Sequence, residues 1–207
     1  FIQYSSRSPS AMSSSALALP VVAPLPWAPQ SCPDLPWWRA GQMAALHEPA
    51  EPSGWPALDA ELPAGGWPAT GLTELLMPAA AGELALLAPW LSGLQRRPHG
   101  PRELLWVTPP AWPCVAALQA LGLQTQALVC IVPAAGARQA ADAAWAAEQA
   151  LRAGSCAAVL WWPAARPPAA TTRRPLQLAA QAGGTPLIAL RPPQARASSS
   201  PAPLRLV

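Results

Sequence analysis

The chain holds 207 residues, 52% of them hydrophobic and 11% charged, with 29 prolines and 11 tryptophans against one Phe and one Tyr; that size fits one compact domain with flanking arms. All 13 of its Lys+Arg positions are arginine, and the net charge of +3 is too small and too scattered to mark a dedicated nucleic-acid binder. No apolar run reaches the roughly 18 residues needed to cross a bilayer, because Pro, Gly, Glu or Arg interrupts every candidate.

Residues 1–36 are dense in Pro and Ser and keep no period of 2 or 3.6, which predicts a disordered or polyproline-like arm. Met12, ahead of a Ser-rich stretch, is a candidate start. The basic region and continuous apolar core of a signal peptide are lacking, so the cytoplasm is the expected compartment. Trp37, Trp38 and Arg39 end the character of the arm. An exposed Trp pair is unfavourable, so it is expected to dock on the chain's own sheet edge or on a neighbouring subunit.

A rhythmic core is expected over 37–192. A short helix at 57–62 leads to Gly65-Gly66 and a strand at 72–77, followed by a helix at 82–95. Strands at 103–108, 128–132, 156–162 and 186–191 then alternate with helices at 113–121, 137–153 and 172–182. Glycines 122, 154 and 183 stand where a left-handed residue would close each helix, spaced by about one βαβ unit. Short, wholly apolar strands of this kind are buried on both faces. The predicted fold is therefore α/β, a mostly parallel sheet with helices on both sides. A tail at 193–207 ends in the alternating Leu204-Arg205-Leu206, which reads as a final strand cut short.

Cys32, Cys114, Cys130 and Cys156 have no metal-ligand spacing, and His47 and His99 are isolated; the cysteines read as buried thiols of a reducing compartment. Arg96, Arg97 and Arg102 form one basic group and Arg166, Arg173 and Arg174 another, both read as solvated charges.

Strand 72–77 runs into Pro78, Ala79, Ala80, Ala81, Gly82, Glu83 and Leu84 and then a helix. That is the layout of a phosphate-binding loop, which needs a lysine against the β and γ phosphates and a following Ser/Thr for Mg²⁺. Here those two positions hold Glu83 and Leu84. A carboxylate about 4 Å from a phosphate charge is repelled by ~4 kcal/mol at an effective dielectric near 20, so triphosphate binding is expected to fail. As a first-turn acid Glu83 complements the helix dipole by ~0.3–1 kcal/mol, and its carboxylate is expected to fill part of the vacated anion nest. The strand at 156–162 ends in tryptophans where a Mg²⁺-holding Asp would stand, and Pro109-Pro110-Ala111 offers no carboxylate to activate water. No catalytic residue, cofactor or metal is expected.

The run Gly54-Trp55-Pro56-Ala57-Leu58-Asp59, Leu62-Pro63-Ala64-Gly65-Gly66-Trp67-Pro68 and Gly71-Leu72-Thr73-Glu74-Leu75 resembles the segment that precedes the P-loop in RecA cores. The likeness continues to Leu190 over about two-thirds of the chain. Within that superfamily it resembles the ImuA type, RecA-like accessory proteins of bacterial mutagenesis cassettes also labelled SulA-like, through Trp38-Arg39, the Gly-Gly-Trp-Pro turn, Trp145 to Arg152 and Leu176 to Ala180. The resemblance implies a RecA-like core and a cytoplasmic, nucleoid-associated role in the DNA-damage response. It also implies ImuB, an error-prone C-family polymerase and RecA as partners, with weak or indirect DNA contact. The family's lysine, threonine and Asn-Gln pair fall on Glu83, Leu84 and Arg191-Pro192, so those roles do not carry over.

At 100° per residue the helix at 137–153 gathers Ala140, Ala143, Ala144, Ala147 and Leu151 on one side and Arg138, Asp142, Trp145, Gln149 and Arg152 on the other. A tryptophan beside arginines has the composition of an interface hot spot, while the alternative is that Trp145 lies under a neighbouring helix or the arm. With Trp37 and Trp38 these are the candidate partner contacts. Two further readings stay open: a SulA-like division inhibitor acting on a tubulin-like GTPase, and a cryptic ATPase in which Arg96 or Arg173 reaches the loop.

Overall fold

A computed structural model describes residues 2–4, 49–100, 103–163 and 170–207, with the side chains of 2–4 and 170–172 excepted. Cys32, Trp37, Trp38, Arg39, His47, Arg102 and Arg166 lie outside the described residues. Strand β1 spans Ile2–Tyr4, β2 Ala50–Glu51, β3 Trp67–Pro68, β4 Gly71–Leu76, β5 Leu104–Val107, β6 Leu128–Ile131, β7 Ala158–Trp161, β8 Pro186–Arg191 and β9 Leu204–Leu206. The helices are α1 Pro56–Glu61, α2 Glu83–Gln95, α3 Val115–Ala120, α4 Gln139–Ala153 and α5 Ala170–Ala182.

Seven strands form one sheet in the order β1-β9-β4-β8-β7-β5-β6, in which the pairings from β9 to β6 are all parallel and β1 joins antiparallel. Successive strand residues face opposite sides, and the core divides accordingly. One face packs Leu75, Leu104, Trp106, Leu160 and Ile188 under α2 and α3. The other packs Leu72, Leu105, Val107, Val159 and Leu187 under the small-residue faces of α4 and α5. Tryptophan supplies the bulk that alanine does not: Trp67 meets Trp90 at 6.0 Å and Trp106 meets Trp162 at 5.4 Å between ring centroids.

Four expectations are corrected. The 1–36 arm is not without regular structure throughout, since Ile2–Tyr4 pairs with β9, whose open side offers a row of unpaired backbone groups. The strand expected in the 193–207 tail forms, but it belongs to the core sheet and not to a tail beyond 192, with Leu204, Arg205 and Leu206 opposite Thr73, Glu74 and Leu75 of β4. The thiols are not uniformly buried: Cys114 is exposed and Cys130 and Cys156 are half-buried. The left-handed residue after α5 is Gly184, at φ 62°. Gly183 instead lies flat against α4, where an added Cβ would stand 1.8 Å from the Leu151 carbonyl oxygen.

Candidate functional site

A cavity of about 620 Å³ opens at the carboxyl ends of five parallel strands, the edge at which open α/β sheets hold ligands. Its rim is contributed by Met77-Pro78-Ala79 after β4, Thr108-Pro109-Pro110 after β5, Val132 after β6, Trp161-Trp162-Pro163 along β7, and Leu190-Arg191-Pro192 along β8; Glu83 and the start of α4 complete the lining. Both non-glycine residues with positive φ among the described residues lie here, Thr108 (φ 53°) in the lining and Ala80 (φ 58°) in the adjoining loop. A β-branched residue in that region is strained, a condition that clusters at functional sites. Thr108 is held by its hydroxyl, whose single proton lies within hydrogen-bond reach of the carbonyl oxygens of both Val107 and Trp162.

The loop after β4 is exposed from Pro78 to Gly82, whereas Glu83 is buried and Leu84 half-buried. Gly82 caps α2 at φ 103°, open only to a residue without Cβ. That turn folds the Glu83 side chain back over its own loop, where Oε1 accepts the Ala80 N–H at 3.0 Å. The carboxylate thus takes one of the loop's own backbone donors. Its Oε2 is buried without a hydrogen-bond partner.

Behind the cavity lies a charge cluster that sequence reasoning missed. Glu74, wholly buried in β4, receives Arg191 Nη1 at 2.8 Å and Arg205 Nε at 2.9 Å, with Arg173 Nε at 3.5 Å. Other guanidinium nitrogens reach Ser198 Oγ from Arg191, the Ser199 carbonyl oxygen from Arg173 and the Ala195 and Arg196 carbonyl oxygens from Arg205. Arg173 is therefore no solvated charge, being 3% exposed. Burial, with Arg191 and Arg205 adding to it, lowers its pKa from the usual arginine range despite Glu74. The available signals were an acid inside an apolar strand and an arginine alternating with Leu204 and Leu206.

Neither arginine named for the loop is placed to serve it. Arg96 caps the far end of the 13-residue α2, about 20 Å along the axis from the loop, and Arg173 is committed to Glu74. Arg191 lines the cavity, but its side chain is turned to Glu74 and Ser198.

The outward residues of α4, namely Arg138, Asp142, Trp145, Gln149 and Arg152, are all exposed, and Trp145 is 65% accessible. Arg152 holds Glu148 at 2.8 Å and Arg138 approaches Asp142 at 3.7 Å, one turn apart. Trp145 borders a second hollow between α4 and α5, lined by Ala141, Ala144, Glu148, Pro175 and Leu176 among others. Trp37 and Trp38 lie outside the described residues. Among the described residues there is no cluster of three or more metal-ligating side chains, and no helix is long and apolar enough to cross a membrane.

No protein-family model matches the chain and no curated protein matches it. Among solved structures it is similar to SulA from Pseudomonas aeruginosa, 27% identical over 58% of this chain and 96% of that one, with a TM-score of 0.47.

Proposed function

We propose that the chain is a non-catalytic, RecA-like accessory protein of the ImuA type, a body for gripping other proteins during DNA-damage-induced translesion synthesis. The observation that carries this reading is Glu83. Where a phosphate-binding loop places a cation, this loop places a buried carboxylate that accepts the loop's own Ala80 N–H, leaving an anion both repelled and one donor short. The partners are an ImuB-type polymerase-like protein and an error-prone C-family polymerase, with RecA as a further contact, and their attachment face is the outward side of α4 around Trp145. The role assigned to the loop is that of a pseudo-ATPase, with Glu83 a structural acid.

Titration with a fluorescent ATP analogue and Mg²⁺ should give no saturable signal up to about 1 mM, equivalent to ~4 kcal/mol of binding; a micromolar dissociation constant would end the reading. Glu83→Ala should lower stability by roughly 0.5–1 kcal/mol through loss of the first-turn acid and its loop bond, still without nucleotide binding. In pull-downs, Trp145→Ala should cut retention of the ImuB-type protein at least tenfold, the ~1.4 kcal/mol or more expected of an aromatic hot spot, at unchanged melting temperature. Co-purification with a tubulin-like division GTPase instead would favour the SulA-like alternative.

A further inference from the structure

We propose that the cavity at the carboxyl edge of the sheet receives an arginine side chain carried on an apolar segment of a protein partner. The inference rests on the reading that this edge no longer holds a nucleotide. At about 620 Å³ the space falls within the range of ligand pockets and accommodates a few side chains. Its walls are apolar: Met77, Pro109, Pro110, Val132 and Leu190 offer nothing to a phosphate or a polyhydroxylated sugar. Among the described residues two charged ones stand in the lining, Glu83 and Arg191. Arg191 is already matched by Glu74 at 2.8 Å and by Ser198. Among the described residues Glu83 is matched by no cation, and its Oε2 has no hydrogen-bond partner.

A buried carboxylate oxygen left unpaired is unfavourable, and the group that relieves it is a cation bearing donors. Arginine fits better than lysine because its guanidinium is planar, more weakly hydrated and compatible with apolar walls. Charge complementarity thus names the occupant: a guanidinium for Glu83, flanked by aliphatic side chains for the prolines, methionine and leucine around it.

The test uses the full chain, isotope-labelled for NMR, with three peptides: acetyl-Leu-Arg-Leu-amide, the same peptide with neutral, isosteric citrulline for Arg, and acetyl-Leu-Glu-Leu-amide. The expected result is saturable shifts at Ala79 to Glu83, Thr108 and Trp162 with the arginine peptide, and affinity at least about five-fold weaker with citrulline. Glu83→Gln, which keeps an acceptor for the Ala80 N–H, should erase that difference. The comparison of peptides on the unaltered chain stands even where the variant folds poorly. Equal binding of the citrulline peptide, tighter binding of the glutamate peptide, an arginine preference that survives in the variant, or no shift at several millimolar peptide would each overturn the proposal. So would self-association that the variant abolishes, since that would assign the cavity to a second copy. A fluorescent ATP analogue run alongside separates the two readings: saturation by nucleotide refutes both, whereas failure of peptide and nucleotide alike refutes this one alone.

Discussion

Replacing Glu74 by Gln keeps the shape of the side chain and removes the carboxylate that, among the described residues, is paired with Arg173, Arg191 and Arg205. With charge centres near 4 Å each pairing has a gross attraction of ~4 kcal/mol at an effective dielectric of 20, most of it offset by the desolvation of the groups. What the substitution exposes is the imbalance: three buried guanidiniums remain with carbonyl and hydroxyl acceptors but no counter-charge among the described residues. Breaking a buried pair from one side costs about 3–5 kcal/mol, a large share of the ~5–15 kcal/mol that holds a domain folded. The assay is equilibrium urea denaturation at low salt, because urea leaves the charges unscreened. The midpoint should fall at unchanged slope, and the melting temperature should drop by about 6–20 °C. Adding Arg205→Leu to Glu74→Gln should recover part of the loss, since an unpaired cation is the source of the penalty. A loss below about 1 kcal/mol, or no recovery in the double variant, would refute this account of the cluster.

Gly183→Ala should destabilise by about 1–3 kcal/mol, as overpacking does, because its Cβ would stand 1.8 Å from the Leu151 carbonyl oxygen; thermal melts of the variant and of the neighbouring Gly184→Ala separate this clash from the effect of positive φ. In a Cys32→Ser background a thiol reagent at pH 8 should modify Cys114 first, since it is exposed, while burial pushes the Cys130 and Cys156 thiols up and leaves less thiolate at both. The same shifts set a sign for stability. Cys130 and Cys156 keep their protons in the folded chain to higher pH than in the unfolded one, so their contribution is complete below the unfolded thiol pKa of about 8.5 and is lost as pH rises through the folded values. Cys156→Ser should flatten that alkaline decline, measured by urea midpoints between pH 8 and 10.

Periodicity located the elements of the sheet because both faces are covered, which forces apolar runs of β4, β5, β7 and β8 between helices with visible ends. It also placed Ala143, Ala144, Ala147 and Leu151 inward on α4 and Trp145 outward, since a helix face is a local property of the chain. Strands β1, β2 and β3 were invisible: two or three residues carry no period, and β1 finds its partner at the opposite end of the chain. The arginine cluster escaped for the same reason. Arg173 sits in a run of polar residues on α5 that reads as surface, and its burial depends on Glu74, 99 positions earlier, and on the segment 195–199 folding over it. At the loop, spacing alone identified Glu83 as the position of interest, whereas the cavity beside it is assembled from the ends of five strands and could not be read from any one of them.

The insertion of Leu204–Leu206 alongside β4, and not at the outer edge, has a kinetic side. Thr73 meets Leu204 across 131 intervening steps of chain, so one flank of the strand leading into the loop stays unzipped until nearly all the intervening polypeptide is available. Closing such a distant pairing is slow relative to local helix formation. Until it happens Glu74 lacks the guanidinium that Arg205 brings, and a half-made domain bares a hydrogen-bonding edge next to an under-neutralised acid, the state in which chaperone capture or misassembly would compete with maturation.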